Sequence, residues 1–148
     1  MFTRTMKATV VAVACMGVML GARAQSDDEH PDVLAPGRVL FTGDAVSSMS
    51  GDFVLIYQGD GNLVLYDTRN PDVWVPLWAT STVTDNPGFA VMQEDGNLVV
   101  YNGNGQPTWA TGTDGMSGTF VVVQDDGNLV LYADYGARWP WASCTVVR

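Results

Sequence analysis

The 148-residue chain has few cysteines, few cations and one histidine. Cys15 lies in an apolar N-terminal run and Cys144 stands alone in the remainder, so an intrachain disulfide within that remainder is excluded. His30 is the single histidine, and no hydroxyl or thiol is placed beside it in a nucleophile–base pattern. There is no Asn-x-Ser/Thr sequon. Beyond residue 24 only Arg38, Arg69, Arg138 and Arg148 oppose 16 acidic residues, a net charge near −12. Such a surface repels phosphate backbones, which argues against nucleic acid and anionic membranes as partners. No helical periodicity is visible after the N-terminal run.

The N-terminus reads as an export signal. Arg4 and Lys7 precede an uncharged stretch from Ala8 to Ala22, and Ala22-Arg23-Ala24 offers a small-x-small cleavage site. The apolar run is shorter than the roughly 20 residues that span a bilayer, so membrane insertion is not expected. Residues 1–24 are therefore expected to be removed, giving a secreted or periplasmic protein. Residues 25–37 are acidic, contain two prolines and lack aromatics, and read as a flexible leader. The folded domain is expected over residues 38–148.

That domain is an internal repeat. Gln-Gly-Asp-Gly-Asn-Leu-Val-Leu-Tyr begins at Gln58, and close copies begin at Gln93 and Gln124, at spacings of 35 and 31 residues. A second element comes after each copy: Trp78-Ala79-Thr80, Trp109-Ala110-Thr111 and Trp141-Ala142-Ser143. Two elements in phase three times indicate one supersecondary unit repeated. Short Val-, Ile- and Tyr-rich runs flank each Asp-x-Asn turn, so the units are all-β hairpins. Placing Gly61, Gly96 or Gly127 at the left-handed position of a three-residue loop pairs Gln58 with Asn62, Gln93 with Asn97 and Gln124 with Asn128. Strand alternation then puts Gln, Asn, Val and Tyr on one face beside the turn aspartate. Leu63, Leu65, Leu98, Val100, Leu129 and Leu131 face the core.

Each copy thus presents acceptors, two-way amides, a phenol and a small apolar side chain, a set suited to a neutral sugar whose hydroxyls donate and accept. Four or five hydrogen bonds of about 0.5–1.5 kcal/mol each, set against the cost of association, give a single-site affinity on the order of millimolar. Useful affinity then comes from several sites engaging one glycan. Calcium is a poor alternative, because it wants six to eight oxygens and each copy repeats one carboxylate. A glycosidase would need converging carboxylates, and Asp60, Asp95 and Asp126 sit in separate copies. Neither a cofactor nor catalysis is expected.

Gln-x-Asp-x-Asn-x-Val-x-Tyr, three times over about Val39 to Arg148, resembles the bulb-type mannose-binding lectins of the snowdrop agglutinin family. The resemblance implies a β-prism of three four-stranded antiparallel sheets around a pseudo-threefold axis, with Trp78, Trp109 and Trp141 near that axis. It also implies mannose-containing glycans as partners. The Asp and Asn would hold the 2-hydroxyl, the Gln the 3-hydroxyl and the Tyr the 4-hydroxyl, with the Val packing on the ring. These roles fall to Asp60, Asn62, Gln58, Tyr66 and Val64; to Asp95, Asn97, Gln93, Tyr101 and Val99; and to Asp126, Asn128, Gln124, Tyr132 and Val130. The other reading is a degenerate β-prism used for protein contacts. The chain departs from the family in lacking the plant disulfide and in an insertion around Thr68 to Leu77, which stretches the Tyr66–Trp78 gap to 12 residues against 8 from Tyr101 to Trp109. Trp74, Pro71 and Pro76 in that insertion are placed to cover or reshape the first site. Family members often exchange the C-terminal strand, so a homodimer through Trp141 to Arg148 is expected, since that segment has no later repeat to pair with.

Overall fold

The structure, a computed structural model, describes residues 30–148. Twelve strands run in chain order: β1 Val33–Leu34, β2 Val39–Leu40, β3 Ala45–Ser47, β4 Phe53–Tyr57, β5 Leu63–Asp67, β6 Val75–Ala79, β7 Pro87–Met92, β8 Leu98–Asn102, β9 Pro107–Ala110, β10 Phe120–Val123, β11 Leu129–Ala133 and β12 Arg138–Ala142. They form three four-stranded antiparallel sheets, ordered β3-β4-β5-β6, β2-β7-β8-β9 and β1-β10-β11-β12. This is the all-β architecture that the repeat implied, in the three-sheet arrangement that the resemblance implied. Among the described residues no helix is long and apolar enough to cross a membrane.

The sheets meet on a shared core. Leu63, Leu65, Leu98, Val100, Leu129 and Leu131 point inward and are fully buried. Trp78, Trp109 and Trp141 pack against that core and against one another edge to face, with centroids 5.3, 5.4 and 5.8 Å apart. That geometry suits the aromatic quadrupole. Tyr57 links the first two copies: its hydroxyl accepts from Gly88 N at 3.0 Å, and burial pushes its phenol pKa upward.

The hairpin register matches the turn argument. Gln58 N, Gln93 N and Gln124 N each donate to the paired asparagine carbonyl at 2.9 Å. Gly61, Gly96 and Gly127 hold φ of 83°, 97° and 84°. At Gly96 a Cβ would also lie 2.5 Å from the Met116 carbonyl oxygen, so the turn needs glycine for space as well as for backbone sign. Beyond the turn each copy has a register shift at the same place, next to Leu65, Val100 and Leu131. An extra residue there bends the strand pairing and re-aims the side chains beyond it. That is where the tyrosine of each motif sits.

The structure corrects the sequence reading at the N-terminal boundary of the domain. Val33–Leu34, inside the segment read as a leader, pairs with Val121 and Val122 as the fourth strand of the third sheet. Val123 N also donates to Asp32 O at 2.9 Å. The fold therefore begins before Arg38: two apolar residues between prolines suffice to cover an open sheet edge. At the other end Trp141 and Ala142 are already paired with Leu131 and Val130 of their own chain. The expected signal peptide, residues 1–24, and most of the leader lie outside the described residues. Cys144 is an exposed free thiol.

Candidate functional site

The site residues converge at the outer face of each first hairpin. Gln58 Nε2 donates to Tyr66 Oη at 2.8 Å, and the pairs Gln93–Tyr101 and Gln124–Tyr132 stand at 2.6 Å. For Gln93 the opposite amide orientation satisfies both ends: Nε2 then reaches both Asp95 carboxylate oxygens at 3.2 Å, and Oε1 accepts from Tyr101 Oη. We assign that orientation there. In every copy the aspartate Oδ1 accepts from the asparagine two residues on, Asp60 from Asn62 N, Asp95 from Asn97 N and Asp126 from Asn128 N, all at 3.0 Å. This local bond is an Asx turn, and it leaves the exposed carboxylate with acceptor capacity to spare.

The asparagines are fixed from behind. Asn97 Oδ1 accepts from Thr111 Oγ1 at 2.9 Å, Gly112 N at 3.0 Å and Thr113 N at 3.3 Å. Asn62 Oδ1 accepts from Thr80 Oγ1 and Thr82 N, and Asn128 Oδ1 from Ser143 Oγ and Thr145 N. A backbone N–H only donates, so the atom facing it is the oxygen and the amide nitrogen faces away. No hydrogen bond among the described residues engages that Nδ2. Each copy therefore holds a carboxylate acceptor and an amide donor side by side, the pair that a hydroxyl group needs.

The fixing residues were missed in the sequence. They form Thr80-Ser81-Thr82, Thr111-Gly112-Thr113 and Ser143-Cys144-Thr145. The first hydroxyl accepts from Leu63 N, Leu98 N or Leu129 N, and the last donates to the turn glycine carbonyl at 2.6–2.7 Å. The middle residue is left-handed in all three, with φ of 57° at Ser81, 69° at Gly112 and 60° at Cys144. The signal was available: a hydroxyl-x-Thr triplet stands at a constant offset from each Trp-Ala.

The valines offer less surface than expected. Val64, Val99 and Val130 are each 3% exposed. Half-buried Ile56, Val91 and Val122 lie directly opposite them on the neighbouring strands and widen the apolar floor. Behind the tyrosines the copies differ. Phe89 packs on Tyr101 at 5.2 Å and Phe120 on Tyr132 at 5.6 Å, whereas Val54 stands opposite Tyr66. There Trp74 of the insertion supplies the missing ring, 5.7 Å from Tyr66 and packed with Val54 and Ala45. The insertion thus supports copy one by backing its tyrosine, and the Gln–Tyr contact, the Asp–Asn turn bond and the hydroxyl-to-Asn bond recur there as in the other copies. Among the described residues no group of three or more His, Cys, Asp or Glu is arranged to hold a metal ion.

No protein-family model matches the chain. It is 46% identical over 72 residues to a mannose-specific lectin of Galanthus nivalis, covering 48% of this chain and 41% of that protein. The chain spans about half or less of the length of the first curated relatives it matches. Solved structures match more fully. The snowdrop mannose-specific agglutinin, in complex with methyl-α-D-mannoside, is 40% identical with a TM-score of 0.60, over 79% of this chain and 99% of that one. A monomeric monocot mannose-binding lectin from Gastrodia elata is 34% identical with a TM-score of 0.67, over 78% and 99%.

Proposed function

Because the chain belongs to the bulb-type mannose-binding lectin family, we propose that it binds mannose-terminated glycans at three sites, without transforming them. The observation that carries this is the threefold repetition of an outward amide donor beside a carboxylate acceptor, with a Gln–Tyr pair at hydrogen-bond distance and an apolar floor. A pyranose with an axial 2-hydroxyl places that group where donor and acceptor meet. Single sites are weak and act together on branched ligands. Export with removal of residues 1–24 belongs to the proposal, supported by the charged start, apolar run and Ala-x-Ala site. In calorimetric titration methyl α-mannoside should bind on the order of millimolar, and the glucoside should bind at least several-fold more weakly. Equal responses to the two sugars, or none to either, would defeat the reading.

We propose in addition a homodimer formed by exchange of the C-terminal strand. Thr145–Val147 comes after β12 and outside any sheet, with Val146 exposed and Val147 N bonded to Asp126 O at 2.7 Å. Exchange would remake the same contacts with a second copy, so it costs little in bonding. All three sheets are complete within one chain, so the dimer is not needed for folding. Light scattering of the full chain at micromolar concentration should give twice the monomer mass; the monomer mass would refute the exchange.

A further inference from the structure

The third copy differs from the other two at the rim of its site. Counting back two residues from the axial tryptophans gives Pro76, Pro107 and Trp139. Pro76 and Pro107 are the register partners of Tyr66 and Tyr101. In copy three Ala133 pairs with Arg138 and Leu131 with Trp141, which sets Trp139 beside Tyr132 on the adjoining strand. Trp139 is 69% exposed. In the same hairpin Tyr135 is 88% exposed, over the bare Cα of Gly118.

The backbone that presents Tyr135 is unusual. Asp134 and Tyr135 are consecutive left-handed residues, with φ of 51° and 56°. A bulky aromatic in that region is rare, and surrounding bonds must hold it there. They do: Asp134 N donates to Ser117 O, Tyr135 N to Gly118 O and Ala137 N to Asp134 O, while the Arg138 guanidinium pairs with the Asp134 carboxylate. A strained, well-bonded turn thus keeps the Tyr135 ring in water, and the strand that follows it holds the exposed Trp139 beside the tyrosine of one site. Rings left in water gain nothing for the core. A flat aromatic face does suit the C–H face of a pyranose whose hydroxyls stay hydrated.

We propose that Trp139 and Tyr135 form a second subsite that takes the next hexose of a glycan whose terminal mannose occupies the third site. This rests on the sugar-binding reading above and makes the third site selective for oligosaccharides, while copies one and two, with proline at the corresponding position, bind the terminal residue alone.

The test uses full-length Asn62→Asp/Asn97→Asp protein, in which the third site alone remains. Titration with methyl α-mannoside and with a branched trimannoside is compared before and after Trp139→Ala, and again after Tyr135→Asn, a residue that tolerates the left-handed backbone. Trp139→Ala should weaken the trimannoside roughly three- to tenfold and leave the monosaccharide unchanged; Tyr135→Asn should act in the same direction. Equal losses for both sugars would reduce Trp139 to a prop for Tyr132 and overturn the subsite. Unchanged trimannoside affinity would overturn it as well, and so would a fall in solution mass with affinity intact, which would make the rim a contact between chains. A starting protein that binds neither sugar, when the wild type does not either, would defeat the sugar-binding reading itself.

Discussion

Replacing Trp109 with alanine is expected to destabilise the domain by about 3–5 kcal/mol. The residue closes a triangle with Trp78 and Trp141, at 5.3 and 5.8 Å, and both partners also touch each other. Its removal takes away two of the three ring contacts and opens a cavity at the point where all three sheets meet. The surrounding leucines belong to antiparallel sheets that are paired on both sides, so they have little freedom to collapse into the gap. Because Trp109 is only half-buried, the lower part of that range is the better expectation. Domains of this size are stable by about 5–15 kcal/mol in total, so the variant should be near the limit of folding at physiological temperature. Urea denaturation followed by circular dichroism measures it. A loss under about 1 kcal/mol would show that the triangle is a consequence of the fold and not a support for it.

The triple variant Asn62→Asp/Asn97→Asp/Asn128→Asp is expected to lose mannoside binding altogether while its melting temperature changes little. The reason is the division of labour within each amide. The oxygen accepts from a threonine or serine hydroxyl and from backbone N–H groups, and an aspartate oxygen can do the same. The nitrogen is the outward donor, and aspartate replaces it with a second anionic acceptor beside Asp60, Asp95 or Asp126. A hydroxyl caught between two carboxylates has one proton to give and no donor to meet its oxygen. Alanine is the poorer probe, because it strands the buried donors as well, at about 1–3 kcal/mol for each group left unsatisfied. Binding retained within threefold in the aspartate variant would remove these asparagines from the site.

The parts legible in the sequence were those encoded locally and repeated. Gly61, Gly96 and Gly127 announced the turn, the turn fixed the register, and the register placed Leu63, Leu98 and Leu129 in the core. The three-sheet arrangement came from resemblance, since hairpin periodicity alone does not say how hairpins associate. The strands β1, β2 and β3 were illegible because two or three residues show no alternation. Val33–Leu34 looked like leader because its neighbours are prolines and acids, and what makes it a strand is an open edge nearly 90 positions away. Trp74 looks like an intruder in the sequence; its job depends on Val54 being small, a fact about a different strand. The hydroxyl triplets were in plain sight but carried no meaning until Asn62, Asn97 and Asn128 were seen from behind.

The sheet order fixes a timetable for synthesis. β3 to β6 are contiguous, so the first sheet can close once residue 79 has emerged from the ribosome. The second needs β2, which must wait unpaired until β7 to β9 exist. The third needs β1, made earliest of all and used only when β10 arrives. The opening segment is consumed in reverse, and each pairing spans a longer stretch of chain than the one before. Loops of that length close slowly, and unpaired edges exposed in the meantime invite association between nascent chains. A chain rearranged to start at β3, with β1 and β2 carried to its end, would shift that exposure from the beginning of synthesis to its close.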